Sequence, residues 1–335
     1  MSGYRTCLES VVVDREEAPV AWVEDAEHGL RAGVVPACGA ELASLQVRRG
    51  NEWVELLYRA LDYSPAEGWP GRAPLLWPAV GRTFTEPQQE EIRRTGVEQL
   101  IGTWVDGDMV RPIPRHGFAK DRPWELIESS SDEQAARATL RLRSDAFTRE
   151  MYPFDFEMLM TAEVSGGVLR MIHRVESHTD GMFWDAANHL SLRMPFGGEG
   201  GFDELVFTTP ATQQLTINDL SLFDGGSLPV DARGGVSLGD PRWHNTVLSG
   251  FPKGEYWAEV RDPKSFTLRV SQTLEPADKV APEWMLFVLW GEPSMNLFCP
   301  EPWVGGPNSF NTREGLVTLA KGEVGTWTMG VEAKG

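Results

Sequence analysis

The sequence predicts an all-β protein: one large antiparallel β-sandwich with few short helices. Three observations carry this. Several segments alternate apolar and polar residues with period two, turn residues punctuate the chain almost evenly, and helical periodicity is scarce. The 34 glycines and 23 prolines are spread without any Ser/Gly-rich or charged stretch between two halves, as many short strands joined by turns require. No internal repeat or low-complexity segment occurs. A single domain over residues 1–335 is expected, since sandwiches run past about 200 residues as one unit.

Taken in order, TEPQQEEIRR (85–94) reads as a helix, with Thr85 and Gln88 at capping-box spacing and Pro87 in the first turn. In FDFEMLMTAEV (154–164), Phe154, Phe156, Met158 and Met160 point one way and Asp155 and Glu157 the other. VLRMIHRVES (168–177), SFTLRVSQTL (265–274) and GTWTMGVEA (325–333) alternate in the same way, as half-buried strands should. WMLFVLW (284–290) is continuously apolar, which suits a strand covered on both faces or a short buried helix.

The composition, 41% hydrophobic and 24% charged, is that of a chain able to bury a substantial core. The 31 Lys+Arg against 49 Asp+Glu leave a formal charge of −18. That argues against a nucleic-acid or anionic-membrane partner, because both need a basic face. Cys7, Cys38 and Cys299 are too few and too scattered for a disulfide framework or a Cys-based zinc site, so reduced thiols and a cytoplasmic location are expected. Neither the N-terminal MSGYRTCLESVVVDREE nor any later stretch has an apolar run of signal-peptide or membrane-spanning length.

Two of six histidines sit in unusual surroundings. His116 lies in RPIPRHGFAKDRPW (111–124), where Pro and Gly force a turn-rich path, and His189 in AANHLSLRMPFGG (186–198) precedes a short strand ending at Pro195. Each reads either as a site residue or as a satisfied loop histidine. His173 reads as a sheet residue, and His28, His178 and His244 as turn or surface residues. Among the acids Glu301 stands out in MNLFCPEPWVGGPNSFN (295–311), held between Pro300 and Pro302, which fix the backbone. Trp303 offers a flat face for the C–H side of a sugar; the alternative for Glu301 is a buried loop anchor. Arg82, in GRAPLLWPAVGRTF (71–84), either aims a planar donor at vicinal hydroxyls or forms a surface salt bridge.

The segments GAELASLQV (39–47), APLLWPAVGR (73–82), PRHGFAKDRPW (114–124), NHLSLRMPF (188–196), CPEPWVGG (299–306) and LAKGEVGTWTMGVE (319–332) come in the order found in aldose 1-epimerases. Together they resemble that family over nearly the whole chain. The likeness is greatest to the branch with an HGFAR-type motif, near hexose and hexose-6-phosphate mutarotases. The resemblance implies a galactose mutarotase-like β-supersandwich and an isomerase of carbohydrate metabolism. It implies that Glu301 is the general base and His189 the general acid, and that His116 and Arg82 hold sugar oxygens. Trp303 and Asn188 join the substrate-binding set. Lys120 stands where the branch more often has Arg. The further sugar-binding aspartate of galactose enzymes has three candidates, Asp219, Asp224 and Asp240, and WHN (243–245) departs from the family pattern.

Mutarotation takes a proton from the C1 hydroxyl and delivers one to the ring oxygen, then reverses both after rotation about C1–C2. One base and one acid suffice, so no metal or other cofactor is expected. Burial should raise the Glu301 pKa, and the neighbouring carboxylate should keep His189 partly protonated. A glycosidase would need two carboxyls flanking the scissile bond, and only one is well presented. No GxGxxG or GxxxxGK[ST] occurs for a nucleotide. The competing reading is a non-catalytic carbohydrate-binding or sensor protein on the same fold. The expected partner is a small sugar or sugar phosphate, with Arg82, Arg115, Lys120 and Arg313 available for an anion, and the expected state a monomer or homodimer.

Overall fold

The computed structural model describes residues 3–334. Two antiparallel sheets carry most of it. The larger, nine-stranded among the described residues, is ordered Ala232–Ser237, Val206–Thr209, Trp257–Arg261, Thr267–Glu275, Val324–Lys334, Val168–Ser177, Phe156–Ser165, Ala136–Arg143, Glu125–Ser131. The second runs Phe223–Pro229, Gln213–Ile217, Asn245–Ser249, Met285–Glu292, Leu297–Val304, Ala186–Asn188, Leu75–Leu76, and the short Leu192–Arg193 strand also pairs with Leu297–Val304. A five-stranded N-terminal sheet, from Tyr4–Val13 to Glu52–Glu55, packs over the Ala136–Arg143 and Phe156–Ser165 end of the first.

The alternating segments are strands of the large sheet. Phe156, Met158 and Met160 are buried while Glu157 and Leu159 are half-exposed, because successive side chains leave a strand on opposite faces. His173 lies in the core, stacked on Trp327 with ring centroids 5.0 Å apart. WMLFVLW resolves into a strand from Met285. Phe287 and Leu289 enter the main core, where Trp77, Trp184, Phe298 and Trp327 also lie. Leu286 and Val288 turn to a separate apolar cluster with Val80, Val247 and Trp303. The sheet is thus covered on one face by protein and on the other by the wall of a cavity.

Glu86–Thr95 is a helix, ended by Gly96 at φ 68° with its N–H on the Ile92 carbonyl. The expected capping box does not form. Thr85 Oγ1 instead pairs with Thr103 Oγ1 at 2.9 Å, and Gln88 Nε2 donates to the Ile101 carbonyl at 3.0 Å. The hairpin Ile101–Asp106/Met109–Pro114 lies beside the helix and offers these polar side chains nearer partners than the helix N-terminus. Among the described residues the α-helices number three, none is long and apolar enough to cross a membrane, and the three cysteines are free.

Candidate active site

The site is built on the Leu297–Val304 strand. Pro300 and Pro302 lie inside it, a position that a paired central strand normally rejects. Here they are tolerated, because the far edge pairs with Ala187 at Trp303 and with Leu192 at Phe298, and no strand lies between. Glu301 is therefore a strand residue rather than the loop residue its proline setting suggested. Through the gap beside it the chain from Asn188 to Ser191 dips in, and this segment carries His189. The strand's period of two puts Cys299, Glu301 and Trp303 on one face. Register does the rest. Leu215, Val247, Val288 and Glu301 form one cross-strand row, and Asn245, Trp290 and Cys299 the next.

Above these rows is a cavity of about 290 Å³, lined by Glu301, His189, His116, Arg82 and Trp303 and by Trp69, Gly81, Arg115, Ile217, Ser221, Phe223, Asn245, Val247, Val288, Trp290 and Pro307. Five of the six residues singled out in the sequence thus share one space. Asn188 does not line it. Its side chain is buried behind the wall, where Nδ2 donates to the Ala73 carbonyl at 3.1 Å and anchors the strand that delivers His189.

His189 Nε2 lies 3.2 Å from Glu301 Oε1, and both side chains are almost fully enclosed. The imidazole is stacked on Trp69 at 4.1 Å, with the edge of Trp290 at 6.0 Å. Trp69 is itself fixed by an Nε1–H bond to Ser191 Oγ at 2.8 Å. On the other side of the carboxylate, Trp303 Nε1–H donates to Glu301 Oε2 at 3.1 Å. The Trp303 indole thus gives its polar edge to the Glu301 carboxyl and also lines the cavity. Burial pushes the Glu301 carboxyl well above its usual range, the Trp303 bond opposing it, and pulls His189 down to about 3. The expected partial protonation of His189 is thus reversed in the free site: desolvation outweighs the carboxylate's attraction, because neither charge is solvated there. The pair behaves as one unit holding a single proton. The carboxyl proton then faces the His189 Nε2 lone pair at 3.2 Å, which leaves the imidazole's own proton on Nδ1, an atom with no partner among the described residues.

His116 is held by the HGFA segment. Its φ of 67° and Gly117's of 69° turn the chain sharply, and a Cβ on Gly117 would lie 2.1 Å from the Trp77 carbonyl oxygen, so only glycine fits. Phe118 and Ala119 N–H both donate to that carbonyl, and His116 N–H donates to the Gly81 carbonyl at 3.0 Å. Gly81 N–H returns a bond to His116 Nδ1 at 3.2 Å. An Nδ1 that accepts leaves the ring proton on Nε2, free to donate to a ligand oxygen. Burial first, then His189 and Arg115, hold His116 well below the usual histidine range, so it is a neutral donor.

Arg82 combines both of its sequence readings. It lines the cavity, yet Nη2 pairs with Glu98 at 2.7 Å and Nη1 donates to Ser221 Oγ at 2.9 Å. Arg115 reaches the same Glu98 oxygen at 2.8 Å. Lys120 is occupied by Asp121, and Arg313 by the Val105 carbonyl at 2.7 Å, away from the cavity. Asp219 pairs with Arg93, Asp224 accepts from Thr216 and Gly226, and Asp240 caps Arg242, all outside the cavity wall. Asn245, the last of the WHN stretch, does line that wall.

Sequence reasoning passed over Trp69, Trp290 and Asn245. The two tryptophans carry no local signal, because they meet His189 only through the fold. It also passed over a potential metal cluster, since the donor atoms of His189, Cys299 and Glu301 lie within 4.8 Å of one another. His189 and Cys299 are far apart in the chain, so no ligand spacing marks them.

A galactose mutarotase-like protein from Clostridium acetobutylicum shares the fold, with a TM-score of 0.74 at 16% identity over 98% of both chains. Galactose 1-epimerase from Lactobacillus acidophilus NCFM superposes with a TM-score of 0.70 at 16% identity, again over 98% of each. In sequence, 96 residues are 33% identical to the Salmonella typhimurium protein named "Putative glucose-6-phosphate 1-epimerase", covering 27% of this chain and about a third (33%) of that one. The family model described as aldose 1-epimerase matches residues 25–329, nearly the whole described chain with every cavity residue inside it, and the protein therefore belongs to the aldose 1-epimerase family of sugar isomerases.

Proposed function

We propose that the protein is a mutarotase that interconverts the α- and β-anomers of a hexose or hexose 6-phosphate, with Glu301 as base and His189 as acid. The observation that carries this is the buried pair, His189 Nε2 to Glu301 Oε1 at 3.2 Å, on the floor of a sugar-sized cavity. In its working form the shared proton sits on His189 and the carboxylate is held by Trp303 Nε1–H. Glu301 takes the proton of the C1 hydroxyl as the C1–O5 bond breaks, and His189 gives its own to O5. The open aldehyde rotates about C1–C2, and the reverse transfers close the ring on the other face. The pair holds one proton before and after, so the cycle needs no external proton source. Each positioned group contributes on the order of 10²–10⁴-fold.

His116 Nε2–H and Asn245 are suited to hold hydroxyls, and the tryptophans to cover C–H faces. Arg82 and Arg115 against one Glu98 leave an excess positive charge at the rim. That excess and the Salmonella relative's name support a phosphorylated hexose over a neutral one. The pair intact in the cavity favours an enzyme over a sugar sensor of the same fold.

The test is anomer exchange by NMR with freshly dissolved hexoses and their 6-phosphates. Exchange should be faster with a phosphate, and the advantage should shrink with salt. Activity needs one proton on the pair. It should fall on the acid side as the pair gains a second proton, near the His189 value of about 3. It should fall again on the alkaline side, displaced upward with the raised Glu301, as the last proton leaves. Absence of exchange for every aldose and sugar phosphate tried, with sugar still bound, would establish the sensor reading.

A further inference from the structure

We propose that His189, Cys299 and Glu301 form a site for a thiophilic divalent cation of the zinc type, and that filling it and turning over sugar exclude each other. The three donor atoms lie within 4.8 Å of one another, and all three residues are buried. In a tetrahedral zinc site, bonds of about 2.0–2.3 Å place neighbouring N and O donors about 3.4 Å apart and S and N about 3.5 Å apart. His189 Nε2 and Glu301 Oε1, at 3.2 Å, already stand near that spacing.

Cys299 is the member that acid–base chemistry does not use. The alternation that puts Glu301 on the cavity face puts Cys299 on the same face, one step down the strand. Its thiol has only a weak contact, 3.6 Å to Ser191 Oγ, and that hydroxyl already accepts from Trp69. A thiol so placed is free to turn towards the pair.

Charge and donor type choose the cation. A thiolate and a carboxylate together carry two negative charges, which a dication neutralises in a space that tolerates no net charge. On binding, two protons pass to solvent, the Cys299 S–H proton as the sulfur–metal bond forms and the proton shared by Glu301 and His189 as the carboxylate takes the metal, and His189 ligates through its neutral Nε2 lone pair. A sulfur and an imidazole nitrogen among three donors select zinc or cobalt over magnesium or calcium, which want six or more oxygens. Two of the three donors, His189 and Glu301, face the cavity, so the cation has a way in and its fourth position stays open to water.

Exclusion follows because the metal takes the lone pair and carboxylate that would otherwise exchange protons with sugar. This second half rests on the acid–base reading above; the cation site does not. The experiment is to titrate the full-length protein with Co²⁺ by absorption and with Zn²⁺ by anomer exchange. Co²⁺ should give a thiolate-to-cobalt charge-transfer band that disappears in Cys299→Ser and Cys299→Ala. Zn²⁺ should inhibit wild type, and each Cys299 variant, judged against its own metal-free rate, should need at least ~10-fold more, since even outer-shell changes cost 10–100-fold in metal affinity. Circular dichroism checks folding, and His189→Gln, which removes a different donor, should weaken Co²⁺ binding too. Cobalt binding without the band, or Cys299 variants with wild-type affinity, would place the metal elsewhere and overturn the proposal. If wild type exchanges no anomers at all, the acid–base reading fails while the band still decides the site.

Discussion

Two sets of charged residues meet this cavity, and they obey different rules. At the rim, Arg82 and Arg115 share Glu98, whose side chain is 55% exposed. On the floor, Glu301 and His189 face each other at 3.2 Å with side chains 3% and 9% exposed. The rim group faces water, and its Coulomb energy is screened to at most about 1 kcal/mol per pair. At rest the floor pair does not keep both charges, since burial drives the carboxyl up and the imidazole down until one proton serves both. The contrast separates steering from chemistry. Solvent leaves the rim able to attract, and its absence makes the floor able to transfer a proton.

The sharpest way to break the contrast is at the floor. Glu301→Gln keeps the shape and the Trp303 bond but removes the proposed base, and kcat should fall by ~10² or more with folding and sugar affinity intact. His189→Asn should likewise cut kcat with little change in KM, because the lost interaction belongs to the transition state. Stopped-flow polarimetry with each variant checks both; near wild-type exchange in Glu301→Gln would remove the mechanism.

His116 lies between the two regimes: it is buried like the floor, and the proposed mechanism uses it as a neutral holder rather than a proton carrier. His116→Asn should raise KM by roughly 5–150-fold, the ~1–3 kcal/mol of an unpaired buried polar partner. A fall in kcat alone would make it a member of the proton-transfer machinery instead.

The smallest effect belongs to the rim. Glu98→Gln should change stability by less than about 1 kcal/mol, as for other exposed pairs. It should also release Arg82 and Arg115, lowering KM for a 6-phosphate a few-fold at low salt and hardly at all for the neutral hexose. Equal effects on both sugars would show that the rim does not read the phosphate.

Much of this was legible in the chain itself. Period-two alternation places Phe156, Met158 and Met160 in the core without any knowledge of their neighbours, since a strand's two faces are decided by the pleat alone. Glu301, His189, His116, Arg82 and Trp303 were marked by proline, glycine and motif context, which fix the backbone locally, and the fold brings the five to one cavity. Other matters are pairwise distances across the fold, which no local pattern encodes. The gap in strand pairing beside Pro300 and Pro302 admits His189 next to Glu301. Trp69 and Trp290 enclose the imidazole, and Cys299 comes within reach of both. Asn188 reads like a site residue beside His189 yet turns to Ala73, because it is the last residue of the Ala186–Asn188 strand while His189 lies on the segment that dips in beyond it. The protonation of the pair was the least accessible of all. Its sign depends on how completely water is excluded, and only the assembled sheets and the tryptophans above them decide that.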